Sequence, residues 1–203
     1  MFLNNHEMKS SPVGMTLVEL LVTVFIFVVL TTMIVVNFQQ LDRGRLLREN
    51  VTRVADLLRE ARVQTQAGVP LDSPDGGDPM MPPGGYGVAV VFGSGVADQY
   101  LLYADWDGNH LYDRGRDDVV LRKKLLDRNV VVTACKQKDL LPACGGVCTC
   151  DLSFQPPKPA TYVNGDLYQE VEMRFELGDG LEHYLYVNGA IGQFEESPHA
   201  RIP

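Results

Sequence analysis

The feature that most constrains the fold of this chain is an apolar run with a single carboxylate near its start. Between Met15 and Val36, 17 of 22 residues are apolar, and the exceptions are Thr16, Glu19, Thr23, Thr31 and Thr32. As a helix this run rises about 33 Å, which is enough to cross a hydrocarbon core about 30 Å thick. A carboxylate inside such a span costs about 2.5–3.5 kcal/mol on insertion scales, so Glu19 is a candidate functional residue. The alternative is that Glu19 lies close enough to the membrane surface to stay hydrated.

The residues around this carboxylate resemble a known processing site. Gly14-Met15-Thr16-Leu17-Val18-Glu19 is similar to the start of a type IV prepilin, the class that includes type IV pilins and the pseudopilins of type II secretion. The resemblance implies a leader peptide of residues 1–14, cleavage between Gly14 and Met15 by a prepilin peptidase, and N-methylation of Met15. It also implies that Glu19 pairs with the Met15 amine of a neighbouring subunit, because a buried carboxylate needs a partner of opposite charge.

Two features of the apolar run and its flanks concern how the chain is exported and which way it crosses the membrane. An ordinary secretory signal peptide has an apolar stretch of about 7–15 residues followed by a small-residue cleavage site, and this run is longer and lacks such a site. The basic residues Arg43, Arg45 and Arg48 would by themselves place the C-terminal side in the cytoplasm. The resemblance implies the reverse: a single-pass inner-membrane protein with a periplasmic head, which later enters a pilus or pseudopilus.

A second apolar pattern extends the predicted helix beyond the membrane span. Apolar residues recur at steps of 4, 3, 4 and 3, at Leu47, Val51, Val54, Leu58 and Ala61. Glu49 and Arg53 stand four residues apart, which predicts a surface ion pair. Gly68 and Pro70 end the pattern. We therefore predict one helix over 15–67, with a transmembrane half at 15–36 and an amphipathic half at 37–67.

The remainder of the chain predicts an antiparallel β domain. A loop rich in proline, glycine and aspartate covers residues 70–85. Predicted strands follow at Tyr86–Phe92, Tyr100–Ala104, Val119–Arg122, Val130–Cys135, Leu152–Phe154, Val171–Leu177, Leu181–Val187 and Ile191–Phe194. The fold class is therefore α+β: a long N-terminal helix packed on a β-sheet or sandwich head domain at 70–203, as in type IV pilins.

Two stretches of this head domain narrow the resemblance. Tyr103–Asn109, followed by Asp117–Arg122, looks like a segment of minor pilins and pseudopilins of the GspH/FimT type, and Leu185–Gly192 resembles their final hairpin. This resemblance implies a subunit that initiates or caps assembly. Its implied partners are other pilins or pseudopilins, contacted through the N-terminal helix, the prepilin peptidase and the inner-membrane assembly platform.

A cluster of acidic residues follows the second predicted strand. Positions 1, 3, 5 and 9 of a twelve-residue calcium-loop spacing are filled by Asp105, Asp107, Asn109 and Asp113. His110 stands where such a loop has glycine, and Arg116 where it has glutamate. We therefore expect a tight turn closed by aspartate and asparagine side chains, with a calcium site as the alternative.

The four cysteines at 135, 144, 148 and 150 cluster within 16 residues. In an exported domain an even number of cysteines predicts two disulfides, for which three connectivities exist. Zinc is the rival, but C-x-x-C pairs are absent from the sequence. If Val130–Cys135 and Cys150–Phe154 are adjacent strands, the pairs are Cys135–Cys150 and Cys144–Cys148.

Charge and motif content disfavour two functional classes. From Pro70 onward there are 11 basic and 20 acidic residues, a net charge of −9, which argues against direct binding of nucleic acid. The histidines have no nucleophile motif beside them, and Gly93-Ser94-Gly95 does not extend to the Gly-x-Ser-x-Gly elbow. We therefore expect no enzymatic activity and no cofactor.

These observations favour a minor type IV pilin, a structural subunit processed by prepilin peptidase. A type II secretion pseudopilin is the alternative within the class, and the sequence does not separate the two. A membrane-tethered exported binding domain that never polymerises is the alternative outside it. Glu19 discriminates this last case, because a plain membrane anchor does not need the carboxylate.

Overall fold

The computed structural model describes residues 15–113, 119–127, 129–137, 146–157, 160–167, 170–178, 180–190 and 192–201, apart from the side chains of residues 35–41. The proposed leader at 1–14 lies outside this set. The chain divides into two compact units, one ending at Asp42 and the other beginning at Arg43.

The N-terminal helix α1 covers Leu17–Ala67. It begins two residues later than the predicted Met15, because Thr16 acts as its N-cap: the Glu19 backbone N–H donates to Thr16 Oγ1 at 3.3 Å. The predicted end at Ala67 is confirmed. Gly68 has a φ of 62°, and the Val69 N–H donates to the Gln64 carbonyl at 3.2 Å, a glycine-assisted helix end.

The described residues after α1 form ten strands. They are β1 (Gly85–Gly93), β2 (Gln99–Asp105), β3 (Val119–Leu125), β4 (Val130–Gln137), β5 (Val147–Gln155), β6 (Ala160–Val163), β7 (Asp166–Leu167), β8 (Glu170–Leu177), β9 (Leu181–Asn188) and β10 (Gln193–Ser197). One sheet has the order β3-β2-β1-β5-β6-β7 and the other β10-β9-β8-β4, and every pairing is antiparallel. The predicted α+β class is confirmed.

Most strand bounds differ from the prediction by at least one residue, and β3 ends at Leu125 instead of Arg122. β5 begins at Val147 instead of Leu152, and β10 extends to Ser197 instead of ending at Phe194. β6 and β7 were not predicted, since they are four and two residues long and gain their stability from pairing beyond β5. Ile191, the predicted start of the last strand, lies outside the described residues.

The second unit has one main core, shared by α1 and both sheets. The predicted helical stripe of Leu47, Val51, Val54, Leu58 and Ala61 is at most 2% exposed, which confirms its burial. These side chains pack in the same cluster as Leu102 and Phe154 of the six-stranded sheet and Phe175 and Leu185 of the four-stranded sheet. The part of α1 that follows Arg43 is therefore integral to the head.

A disulfide joins the two sheets. Cys135 on β4 and Cys150 on β5 are bonded, with their Cα atoms 6.1 Å apart. The bonded pair is the one predicted, but the condition of adjacent strands is not met: β4 pairs with β8, whereas β5 pairs with β1 and β6. The disulfide therefore crosslinks the two sheets instead of two neighbouring strands of one sheet. Cys144 lies outside the described residues, so the Cys144–Cys148 pairing stays a prediction.

Candidate membrane and assembly site

The first unit exposes apolar side chains around its helix. Leu17–Ile34 is the one segment of the described chain that is helical, long and apolar enough to cross a membrane, and none of it is buried. Its large side chains are more than half exposed at Leu17, Phe25, Phe27 and Met33. A helix with this many exposed large apolar side chains requires lipid or protein around it. These properties are compatible with a membrane anchor.

Glu19 lies in the first turn of this helix, three residues after the Thr16 cap. Thr-x-x-Glu is the spacing of a capping box, in which the glutamate is the third helical residue. The partial positive charge of a helix N-terminus also stabilises a carboxylate there. The spacing of Thr16 and Glu19 is thus visible in the sequence, and in the structure Thr16 caps the helix through the Glu19 backbone N–H.

Four of the five polar residues of the apolar segment share one side of the helix, and Thr32 lies outside that side. At 3.6 residues per turn, Thr16, Glu19, Thr23 and Thr31 fall within an arc of about 120°. The Thr23 hydroxyl donates to the Leu20 carbonyl at 2.8 Å, and the Thr31 hydroxyl donates to the Phe27 carbonyl at 2.7 Å. Both threonines are thus satisfied by their own helix.

Glu19 differs from these threonines in its hydrogen bonding. No side chain within residues 15–34 donates a hydrogen bond to its carboxylate. A carboxylate in this position can accept charge-assisted hydrogen bonds from an ammonium group on another chain. Met15 precedes the helix and is 59% exposed, whereas Gly14 lies outside the described residues, so the geometry of the predicted cleavage bond is not described.

The acidic loop after β2 closes on its own amides. Asp105 is fully buried, and its carboxylate accepts hydrogen bonds from the Gly108 N–H at 2.7 Å and the His110 N–H at 2.9 Å. The Asn109 side-chain nitrogen donates to Asp107 Oδ2 and to Asp113 Oδ2, at 2.8 Å in each case. This is the geometry of the expected tight turn.

The described side chains of this loop are not arranged as ligands around a calcium ion. The Asn109 nitrogen, a donor, lies between the carboxylates of Asp107 and Asp113. Among the described residues there is no group of three or more His, Cys, Asp or Glu side chains placed to hold a metal ion. Arg116, at the twelfth position of the spacing, lies outside the described residues.

Two titrating groups meet inside this loop. Burial raises the pKa of Asp105 to about 6, although the amides of His110 and Gly108 oppose the change. His110 Nδ1 lies 3.4 Å from Asp105 Oδ2, and its ring stacks on Tyr162 at 3.6 Å between centroids. Burial lowers the pKa of His110. The stack connects the loop after β2 to β6, three strands away in the same sheet.

The remaining described histidines are placed differently. His183 on β9 is buried, and burial lowers its pKa. His199 is exposed near the C-terminus. Neither lies in a described group of three or more His, Cys, Asp or Glu side chains placed to hold a metal ion.

Comparison with known proteins gives no relative: no family model, curated protein or solved structure matches this chain. Function is therefore inferred from the residues and their geometry.

Proposed function

We propose that this chain is a minor type IV pilin, a non-enzymatic subunit that is processed by a prepilin peptidase and helps to initiate or cap pilus assembly. One observation carries the proposal: Glu19, to which no side chain within residues 15–34 donates a hydrogen bond, lies in the first turn of a helix that exposes apolar side chains throughout Leu17–Ile34. The resemblance of Gly14–Glu19 to a prepilin cleavage site supports it.

The proposed assembly step is the pairing of Glu19 with an amino terminus. Cleavage after Gly14 creates the Met15 ammonium two residues before α1 begins. In an apolar environment a lone carboxylate is costly, and an ammonium of an adjacent subunit offsets that cost through a charge-assisted hydrogen bond. A subunit entering the filament thereby exchanges an unpaired charge in the bilayer for a paired one.

The head domain supports export. The Cys135–Cys150 disulfide is a bond that persists in oxidising compartments such as the periplasm and is rare in the cytoplasm. We therefore place residues from Arg43 onward on the periplasmic side of the inner membrane before assembly. This orientation follows the prepilin resemblance over the arginines at 43, 45 and 48.

A type II secretion pseudopilin remains the alternative within the class, since the same helix, carboxylate and exported head serve both assemblies. Chemical crosslinking of the chain in its native membrane, followed by identification of the co-purified proteins, separates the pilus from the secretion machinery. A tethered domain that never polymerises remains the alternative outside the class, and it requires neither processing nor Glu19.

Mass spectrometry of the protein purified from its native membrane tests the proposal. We expect the mature chain to begin at Met15 and to carry one N-methyl group. Co-expression without a prepilin peptidase provides the control, in which residues 1–14 should be retained. A chain that keeps Met1 in the presence of the peptidase, or that is cut after Val36, would overturn the proposal.

A further inference from the structure

The strand β3 forms an open edge of the six-stranded sheet. Within the described chain it pairs only with β2. Val120 and the four residues Arg122–Leu125 are exposed along it. The outward-facing N–H and C=O groups of an edge strand accept an added extended chain. β3 therefore has the backbone needed to bind a peptide in strand conformation.

A groove lies beside this edge, on the side that faces α1. It has a volume of about 220 Å³ and is lined by Arg53, Asp56, Leu57, Glu60, Tyr100, Arg122 and Lys124. Leu57 and Tyr100 are its buried apolar residues, and Lys124 stands opposite Tyr100 in the β2–β3 register. Since a cavity of about 150 Å³ can accept benzene, the groove has room for one aromatic or aliphatic side chain.

The positive charge of Lys123 and Lys124 on β3 determines which partner the edge favours. Arg122 pairs with Glu60 at 2.8 Å, and Asp56 pairs with Arg59, so the acids of the groove are already engaged. Lys123 and Lys124 form no ion pair within the described residues, although the domain from Pro70 onward has a net charge of −9. Lysines on an edge disfavour neutral or basic strands, including β3 of a second copy, and favour acidic ones.

We propose that β3 and the adjacent groove bind an extended acidic segment of a partner protein. The segment adds a strand beside β3, inserts one apolar side chain above Leu57 and Tyr100, and places its carboxylates near Lys123 and Lys124. This site lies wholly in the second unit and does not depend on the proposed filament function.

A second copy of this chain is the less complementary occupant. Among its described edge strands, β10 carries the most acidic residues, Glu195 and Glu196. Glu195 is bound by both guanidinium nitrogens of Arg201, and Glu196 accepts a hydrogen bond from Thr52 at 3.0 Å. Because both carboxylates are engaged within their own chain, they are not available to the lysines of β3.

Selection from a random displayed library of ten-residue peptides, with the full chain in detergent micelles as the target, tests the proposal. We expect enriched peptides to combine acidic residues with at least one large apolar residue and to protect β3 amides from hydrogen exchange. The double variant Lys123→Glu/Lys124→Glu should weaken their binding about tenfold or more, as expected when close opposite charges become like charges. The matched control Arg45→Glu/Arg48→Glu, which reverses two exposed charges on α1, should leave binding unchanged.

Peptides methylated on alternate backbone nitrogens distinguish strand addition from simple charge attraction. Methylation of the nitrogens that face β3 should abolish binding, whereas methylation of the other set should preserve it. Equal effects of the two sets, failure to enrich acidic peptides, or exchange protection away from β3 would each overturn the proposal. So would protection of β3 by a second copy alone.

Discussion

Asn50 and Asp127 exchange two hydrogen bonds across 77 residues of sequence. Asn50 Nδ2 donates to Asp127 Oδ2 at 3.0 Å, and the Asp127 backbone N–H donates to Asn50 Oδ1 at 3.1 Å. Asn50 is fully buried, and its Nδ2 also donates to the Leu46 carbonyl at 2.9 Å. Arg53, one turn later, donates to Asp127 Oδ2 at 2.9 Å. These contacts fix α1 to the turn between β3 and β4.

The Asn50→Ala variant should destabilise the second unit. It removes both exchanged hydrogen bonds and leaves the Asp127 N–H without its acceptor, so we expect the free energy of unfolding to fall by about 2–4 kcal/mol. Arg59→Ala, on the exposed side of the same helix, should change it by less than about 0.5 kcal/mol. Chemical denaturation of the full chain in detergent measures both, and equal effects would contradict the role of Asn50.

Loss of the disulfide between the sheets should also be costly. Cys135 and Cys150 are 15 residues apart, and closure of a loop of that length stabilises a folded chain by about 3 kcal/mol in the chain-entropy account. We expect the Cys135→Ala/Cys150→Ala variant to lose about that much stability. Peptide mapping under non-reducing conditions should first find the Cys135–Cys150 linkage. A variant as stable as the parent chain would show that packing alone holds the sheets together.

The pKa of Asp105 predicts a pH dependence with a defined sign. Its folded value of about 6 lies above its ordinary value of 3.8, so the folded state binds more protons than the unfolded state between these values. The contribution of this group to stability is therefore fully present below about pH 4 and is lost as pH rises through about 6. A pKa difference of about two corresponds to about 3 kcal/mol, which is the upper limit of the stability that Asp105 contributes at low pH.

Comparison with Asp105→Asn isolates that contribution. His110 and His183 have pKa values lowered by burial, so their contributions are lost as pH falls, which is the opposite direction. Denaturation of both proteins from pH 4 to pH 7 should show that Asp105→Asn gains stability relative to the parent chain as pH rises. Parallel curves would mean that Asp105 titrates near its ordinary pKa.

The helical core could be predicted because its signal is local. The spacing of Leu47, Val51, Val54 and Leu58 places these side chains on one side of a helix regardless of what packs there. Glu49 and Arg53 likewise form the predicted pair, at 2.7 Å. Asn50 is a polar residue within this stretch. Because its partner Asp127 lies 77 positions away, no local pattern predicts the contact.

The division into two sheets could not be predicted from local patterns. Val147–Cys150 belongs to β5, although the strand predicted there begins only at Leu152. The sequence predicts the Cys135–Cys150 pair on the condition that the two segments are adjacent strands, whereas the fold brings the cysteines together from separate sheets. Sheet membership depends on long-range pairing that alternation of apolar and polar residues does not encode. The Thr16 cap, by contrast, has a local signal, because Thr-x-x-Glu is a pattern typical of a helix N-terminus.

The glycine at the start of β1 should be intolerant of substitution. Gly85 has a φ of 84°, and a Cβ added there would collide with the Phe154 carbonyl oxygen of the paired strand β5. Backbone strain and overpacking each cost about 1–3 kcal/mol, so Gly85→Ala should lose about 2–6 kcal/mol of stability. At Gly178 an added Cβ would meet no atom within 4 Å, and Gly178→Ala should be nearly neutral. Similar losses in both variants would contradict the close approach of β1 and β5.

The Glu19→Ala variant tests the proposed pairing within a filament. It should fold normally, because a first-turn glutamate contributes only about 0.3–1 kcal/mol to its helix. Its incorporation should nevertheless fall about tenfold or more, since breaking a buried ion pair costs about 3–5 kcal/mol. Quantification of the chain in sheared filaments and in the membrane fraction measures the ratio.

Thr23→Val is the matched control for this variant. Thr23 lies on the same side of the helix as Glu19, but its hydroxyl is already bonded to the Leu20 carbonyl, so its loss leaves no partner unsatisfied. It should enter filaments as the parent chain does. Equal loss in both variants would indicate a packing surface in which the carboxylate has no special part. Normal incorporation of Glu19→Ala would instead favour a plain anchor, because only a subunit that must meet a neighbour's amino terminus depends on the charge.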